Sequence, residues 1–147
     1  MSVYPAIESV VEMLGGARIL RARVRTLMDL AQLVSNGLPF RSLRAVAERY
    51  PEPYRRRIEQ LVVPRTTLQR REASGVLSPE ESERLERVAR LSALAEYVWE
   101  SRDAAQQWLT TPLPLLGNEA PLDLAATDLG ARRVEDVLWK LEHSLPV

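Results

Sequence analysis

Arg65-Thr66-Thr67-Leu68-Gln69-Arg70-Arg71 gathers, in one short run, side chains that can read nucleic acid. A guanidinium makes two parallel bonds to guanine and a carboxamide does the same to adenine. Threonine hydroxyls reach phosphates, and their methyls touch thymine. Arg65 and Arg70 are therefore candidates for guanine, Gln69 for adenine, and Thr66 and Thr67 for phosphate, with Arg71 beside them. Arg55, Arg56 and Arg57, one element earlier, would add sequence-independent affinity through backbone phosphates. The same residues also describe a basic face that meets acids on a protein partner, and residue types alone leave both readings open.

Other chemistry is poorly supplied. The chain has one histidine and no cysteine, which excludes disulfides, thiolate metal sites and thiol nucleophiles. No metal-ligand cluster or phosphate-cradling glycine loop is visible; Gly15-Gly16 is an isolated pair. Glu80, Glu81, Glu83 and Glu86 suit the first turns of a helix, where acids complement the dipole. The expectation is a non-enzyme with no cofactor and no metal.

The 147 residues have a formal net charge of zero, which hides an asymmetry. Arg18 to Arg71 holds 13 arginines against 4 acids, whereas Glu72 to Val147 holds 7 basic residues against 14 acids. A basic part followed by an acidic part suggests two jobs, one facing a polyanion. No apolar run approaches the ~18 residues of a membrane span. The N-terminus lacks the basic start and apolar stretch of a signal peptide. A cytoplasmic chain without membrane contact is expected.

Helical signals dominate. Ile7 to Leu14 reads as a helix stopped by Gly15-Gly16, and the alternation in ARILRARVR fits either an extended run or a helix start. Thr26-x-x-Asp29 and Ser78-Pro79-x-Glu81 are capping boxes, the second opening a helix that runs to about Trp99. Between them the pattern gives helices over FRSLRAVAERY, Tyr54 to Leu61, and Pro64 to Ser74, with Pro64 as the first helical residue. Ser101 opens a helix through Leu109, Pro121 begins a short one, and Gly130 precedes the last, ARRVEDVLWKLEH. The chain is expected to be all-α. Its organisation is expected to be an N-terminal segment 1–25, a helix-turn-helix region 26–77, a connecting helix 78–100 and a C-terminal domain 101–147.

GLPFRSL, RTTLQRR, LSPEESERLERVARLSALAE and the stretch from Ala104 to His143 together resemble the Xre/MbcA/ParS family of bacterial antitoxins. The most specific match is C-terminal: Trp108-Leu109, Pro112, Gly117, Pro121-Leu122-Asp123-Leu124, Thr127, Gly130, and Val134 with Leu138. The resemblance implies an Xre-like helix-turn-helix region followed by a small helical toxin-binding domain. It further implies a homodimer, operator DNA as one partner, and as the other a RES-domain toxin that consumes NAD and whose active site the antitoxin covers. Two features depart from the family pattern. Ile58 and Val62 stand where a small residue and a glycine usually form the turn, and His143-Ser144 replaces a glycine after the last helix.

The last helix carries an apolar stripe of Val134, Val137, Leu138 and Leu141. Trp139 points away from that stripe, among Arg132, Asp136 and His143, with Arg133 nearby, and suits an interface anchor in a toxin or a second protomer. A fold back onto a neighbouring helix is the alternative. Trp108 is expected in the core. The usual fate of a chain end is disorder. For the tail Leu145-Pro146-Val147 the family resemblance suggests instead entry into the toxin's NAD cleft.

Overall fold

A computed structural model describes residues 4–144 and 146. Among these the chain forms nine α-helices and two 3-10 turns, with no strand and two isolated bridges. The helices are α1 (Ile7–Met13), α2 (Gly16–Leu20), α3 (Leu27–Asn36), α4 (Phe40–Glu48), α5 (Tyr54–Val62), α6 (Leu68–Ser74), α7 (Pro79–Trp99), α8 (Arg102–Leu109) and α9 (Asp128–Glu142); the 3-10 turns are Pro114–Leu116 and Pro121–Ala126.

Side-chain caps fix four of the starts. Thr26 and Asp29 close a reciprocal capping box on α3, and Ser78 and Glu81 close another on α7. Ser101 accepts from the Ala104 amide at α8, and Thr127 accepts from the Gly130 amide at α9. Each cap satisfies an amide with no intrahelical partner and contributes about 1 kcal/mol.

The spine is α7, 21 residues and roughly 30 Å long. Helices α1, α3, α5, α8 and α9 and the Pro121–Ala126 turn pack on it. Its buried residues Leu85, Val88, Leu91, Leu94 and Ala95 meet Leu43, Ile58, Leu109, Val134 and Leu138 in one continuous core. Two buried hydroxyls fix the seating of the N-terminal helices. Ser82 Oγ accepts from the Leu38 amide at 2.7 Å. Ser92 Oγ donates to the Val88 carbonyl at 2.8 Å, so the buried Tyr50 hydroxyl, 2.6 Å away, is the donor to Ser92.

Two local expectations change and one open reading is resolved. Pro64 does not open a helix: Pro64–Thr67 is a turn closed by a Thr67 amide to Pro64 carbonyl bond of 2.9 Å, and α6 starts at Leu68. The adjacent β-branched Thr66 and Thr67 favour helix less than the Leu-Gln-Arg-Arg run that follows. Gly130 does not precede α9 but sits in its first turn, where a Cβ would collide with the Leu124 carbonyl. In ARILRARVR the helix stops at Leu20, Arg21 closes it with φ 55°, and residues 22–25 are non-helical.

The turn between α5 and α6 closes without glycine. Val62 ends α5, and Val63 is extended at φ −125°, ψ 131°, a conformation β-branched side chains prefer. Neither residue has positive φ, so the chain takes the wider path Val63–Thr67 rather than a left-handed corner. After α9, Ser144 adopts φ 54°, the left-handed conformation that the family's glycine would supply.

Candidate functional site

Leu68 packs α6 against the core, and Arg71 donates Nε to Glu81 Oε1 at 2.7 Å. Burial pushes the Glu81 carboxyl up. The Arg71 bond and the Ser78 amide outweigh that and hold it below the ordinary carboxylate range. Arg71 thus fastens α6 to the start of α7. Arg55 donates Nε to the Tyr50 carbonyl at 2.8 Å and Nη2 to the Glu48 carbonyl at 3.4 Å, completing the C-terminus of α4. Arg44 bridges Glu59 at 3.0 Å and Glu72 at 3.2 Å, tying α4, α5 and α6 together.

What remains for a ligand is narrower than the sequence suggested. Arg56, Arg65, Thr66, Gln69 and Arg70 are exposed, and Thr67 is half-buried at the cap of α6. Among the described residues no ion pair or side-chain hydrogen bond engages Arg56, Arg65, Gln69 or Arg70. They are available to a polyanion, Arg65 from the turn and Gln69 and Arg70 from the first part of α6.

The C-terminal signature builds architecture. Leu109, Pro121 and Leu122 are buried, and Trp108, expected in the core, is half-buried with its ring 6.4 Å from Trp99. Past the exposed Pro112, Leu113 and Glu119 form a bridge around Gly117, whose φ is 70°. Asp123 receives Nε and Nη2 of Arg57, so Arg57 faces the C-terminal unit rather than a DNA backbone.

On α9, Arg132 pairs with Asp128 at 3.1 Å, Lys140 with Asp136 at 3.1 Å, and Arg133 donates to the Leu115 carbonyl at 2.7 Å. Trp139 is half-buried and stacks on His143 with ring centroids 4.2 Å apart. His143 Nδ1 lies 2.9 Å from the Trp139 carbonyl. Pro146 is exposed, while the expectations for Leu145 and Val147 lie outside the described residues.

Sequence reasoning missed the polar contacts that seat the elements on α7 and on one another. Arg84 donates Nε to the Val62 carbonyl at 3.0 Å, closing α5. Arg87 donates to the Ala125 and Ala126 carbonyls at 2.8 and 3.0 Å, closing the Pro121–Ala126 turn. Gln106 donates to the Arg49 carbonyl at 2.6 Å. Between α1, α7 and α9, Tyr4 donates its hydroxyl to Glu86 at 2.9 Å, while Arg90 lies 3.5 Å from Glu86 and 3.1 Å from Glu135. Burial pushes both carboxyls up, and Arg90 offsets this only in part. This cluster flanks an open groove of about 580 Å³. Apart from the i,i+4 pair of Glu86 and Arg90, none of these contacts carries a local sequence signal.

Comparison with known proteins accounts for both halves. Residues 29–90 match the antitoxin Xre-like helix-turn-helix domain, and residues 94–143 match the antitoxin Xre/MbcA/ParS C-terminal toxin-binding domain. An all-helical chain joining those two units is of the antitoxin class. The chain is 30% identical over 131 residues to "Antitoxin Xre" of Pseudomonas putida, covering 82% of this chain and 81% of that protein. It is 35% identical over 82 residues to "Antitoxin Xre" of Yersinia enterocolitica, a match spanning 55% of each. The protein belongs to the Xre/MbcA/ParS antitoxin family. No described helix is long and apolar enough to cross a membrane.

Proposed function

We propose that the protein neutralises a RES-domain toxin by covering its NAD site and represses its own operon by binding operator DNA as a homodimer. The observation that carries this reading is the pairing of the two matched units on one chain. For the toxin, the half-exposed Trp139–His143 stack, flanked by Arg132, Arg133 and Asp136, supplies an aromatic anchor with a polar rim, and the residues after Ser144 follow it directly. For DNA, Arg65, Thr66, Thr67, Gln69 and Arg70 form the reading edge, with Arg56 on phosphate.

The test is co-expression with the product of the adjacent toxin gene. The complex should co-purify, and cellular NAD should fall when the toxin is expressed alone and recover with both. NAD loss that continues in the presence of a stable complex sinks the occlusion mechanism.

A second reading, an interaction module with no operator, draws on the intramolecular engagement of Arg55, Arg57 and Arg71 and on an α6 of only seven residues. Absence of salt-dependent binding to the upstream DNA would favour it.

A further inference from the structure

Residues 18–25 hold arginines that neither proposed interface uses. Arg18, Arg21, Arg23 and Arg25 precede the matched helix-turn-helix domain, which begins at residue 29. All four are exposed, and among the described residues none enters an ion pair. This separates them from Arg49, Arg57, Arg71, Arg84 and Arg87, each of which meets a carboxylate or a helix-end carbonyl.

The chain holds this stretch at both ends. Leu20 is buried, and Arg21 ends α2 in the left-handed conformation. Ala22 and Val24 are half-buried, with Val24 packed on the core, so Arg21, Arg23 and Arg25 alternate outward. At the far end the Asp29 carboxylate accepts the amides of Arg25 and Thr26 at 2.9 and 3.1 Å. Asp29 is the sole acid between Glu12 and Glu48, and those backbone bonds hold its carboxyl below the usual range. The one acid in this part of the sequence therefore accepts backbone amides at a helix start and forms no ion pair with these arginines.

We propose that residues 18–25 form a second phosphate-contacting surface that raises affinity for DNA without reading its sequence. This rests on the reading that the protein binds DNA. Guanidinium forks match phosphate oxygens, and holding them on a fixed chain reduces the ordering cost. Residues 17–25 contain no Asn, Gln or aromatic side chain, so guanidinium forks are all the surface offers, and on an irregular stretch ahead of the helix-turn-helix domain these suit phosphate.

The experiment compares two labelled duplexes, one from upstream of the gene and one unrelated, by fluorescence anisotropy across a range of salt. The variants are Arg21→Gln/Arg23→Gln/Arg25→Gln, the single Arg23→Gln, and Arg65→Ala/Arg70→Ala. The triple variant should weaken binding to both duplexes by the same factor and make the slope of log K against log salt shallower by about 2.7, or about 0.9 per phosphate. The single variant should account for about a third of that, which keeps the test decisive if the triple variant melts early. Arg65→Ala/Arg70→Ala should instead reduce the preference for the upstream duplex. An unchanged slope in the arm variants, with wild-type binding intact, overturns the proposal and leaves the DNA reading standing. A wild-type protein that binds neither duplex overturns both. Loss of toxin co-purification with an unchanged DNA slope assigns these arginines to a protein partner and also overturns it.

Discussion

Arg57 on α5 and Asp123 in the Pro121–Ala126 turn form a two-pronged ion pair across 66 residues of sequence. It joins the first helix of the proposed DNA reader to the most specific motif of the toxin-binding unit. Arg57 is more than half exposed, so solvent screening limits its value. A double-mutant cycle with Arg57→Ala and Asp123→Ala should give a coupling of about 0.5–1 kcal/mol by chemical denaturation. A coupling near zero would show the pair to be decorative.

Gly130 lies against the carbonyl of Leu124, where a Cβ has no room. Its amide also supplies the hydrogen that Thr127 accepts. Gly130→Ala must shift either α9 or the Pro121–Ala126 turn and should cost roughly 1–3 kcal/mol. Thermal melting checks this, and a melting point at or above that of the wild type would contradict it.

Glu86 and Glu135 share Arg90, and burial pushes both carboxyls up. Asp128 raises both further, whereas Arg90 lowers both, Arg87 lowers Glu86 and Arg132 lowers Glu135. A carboxyl whose folded pKa exceeds its unfolded value binds its proton more tightly when folded. Its contribution to stability is then complete below the unfolded value and is lost as pH rises through the folded one. Glu135→Gln, neutral at every pH, should therefore match or exceed the wild-type melting temperature at pH 7. That advantage should shrink as pH falls towards about 4.5. A variant less stable at pH 7 than at pH 5, relative to wild type, would reverse the sign.

Trp139 stacks on His143 and is half-buried, so its removal touches the surface more than the core. Trp139→Ala should lower toxin affinity by about 30-fold or more, measured by calorimetry or surface binding, with a modest change in melting. Unchanged toxin affinity and unchanged dimerisation together would remove Trp139 from the interface.

The parts of the fold legible in the sequence are those encoded within four residues. The Thr26 and Ser78 boxes, the Ser101 cap and the span of α7 to Trp99 all follow from such local spacing. The shortfalls are non-local or steric. Local spacing puts Gly130 just before the last helix rather than in its first turn, because its real constraint, the Leu124 carbonyl, lies outside its own helix. Pro64 had the right identity for a helix start, yet the two threonines after it favoured a turn. Among the candidate DNA residues, sequence could not separate Arg65 and Arg70 from Arg55 and Arg71, since the partners Tyr50, Glu48 and Glu81 are revealed only by packing.

The two matched domains meet inside α7, and the residues between them are Leu91, Ser92 and Ala93. All three are buried. The seam is thus a cross-section of a shared core rather than a linker. Grafting either half onto a different partner half would cut through side chains that both need, so the halves are not interchangeable cassettes. A continuous helix also fixes distance and angle where a flexible tether would set only an effective concentration. A toxin held at one end would travel with the DNA-facing end as a rigid body, and whether two toxins fit beside one operator would be a question of shape.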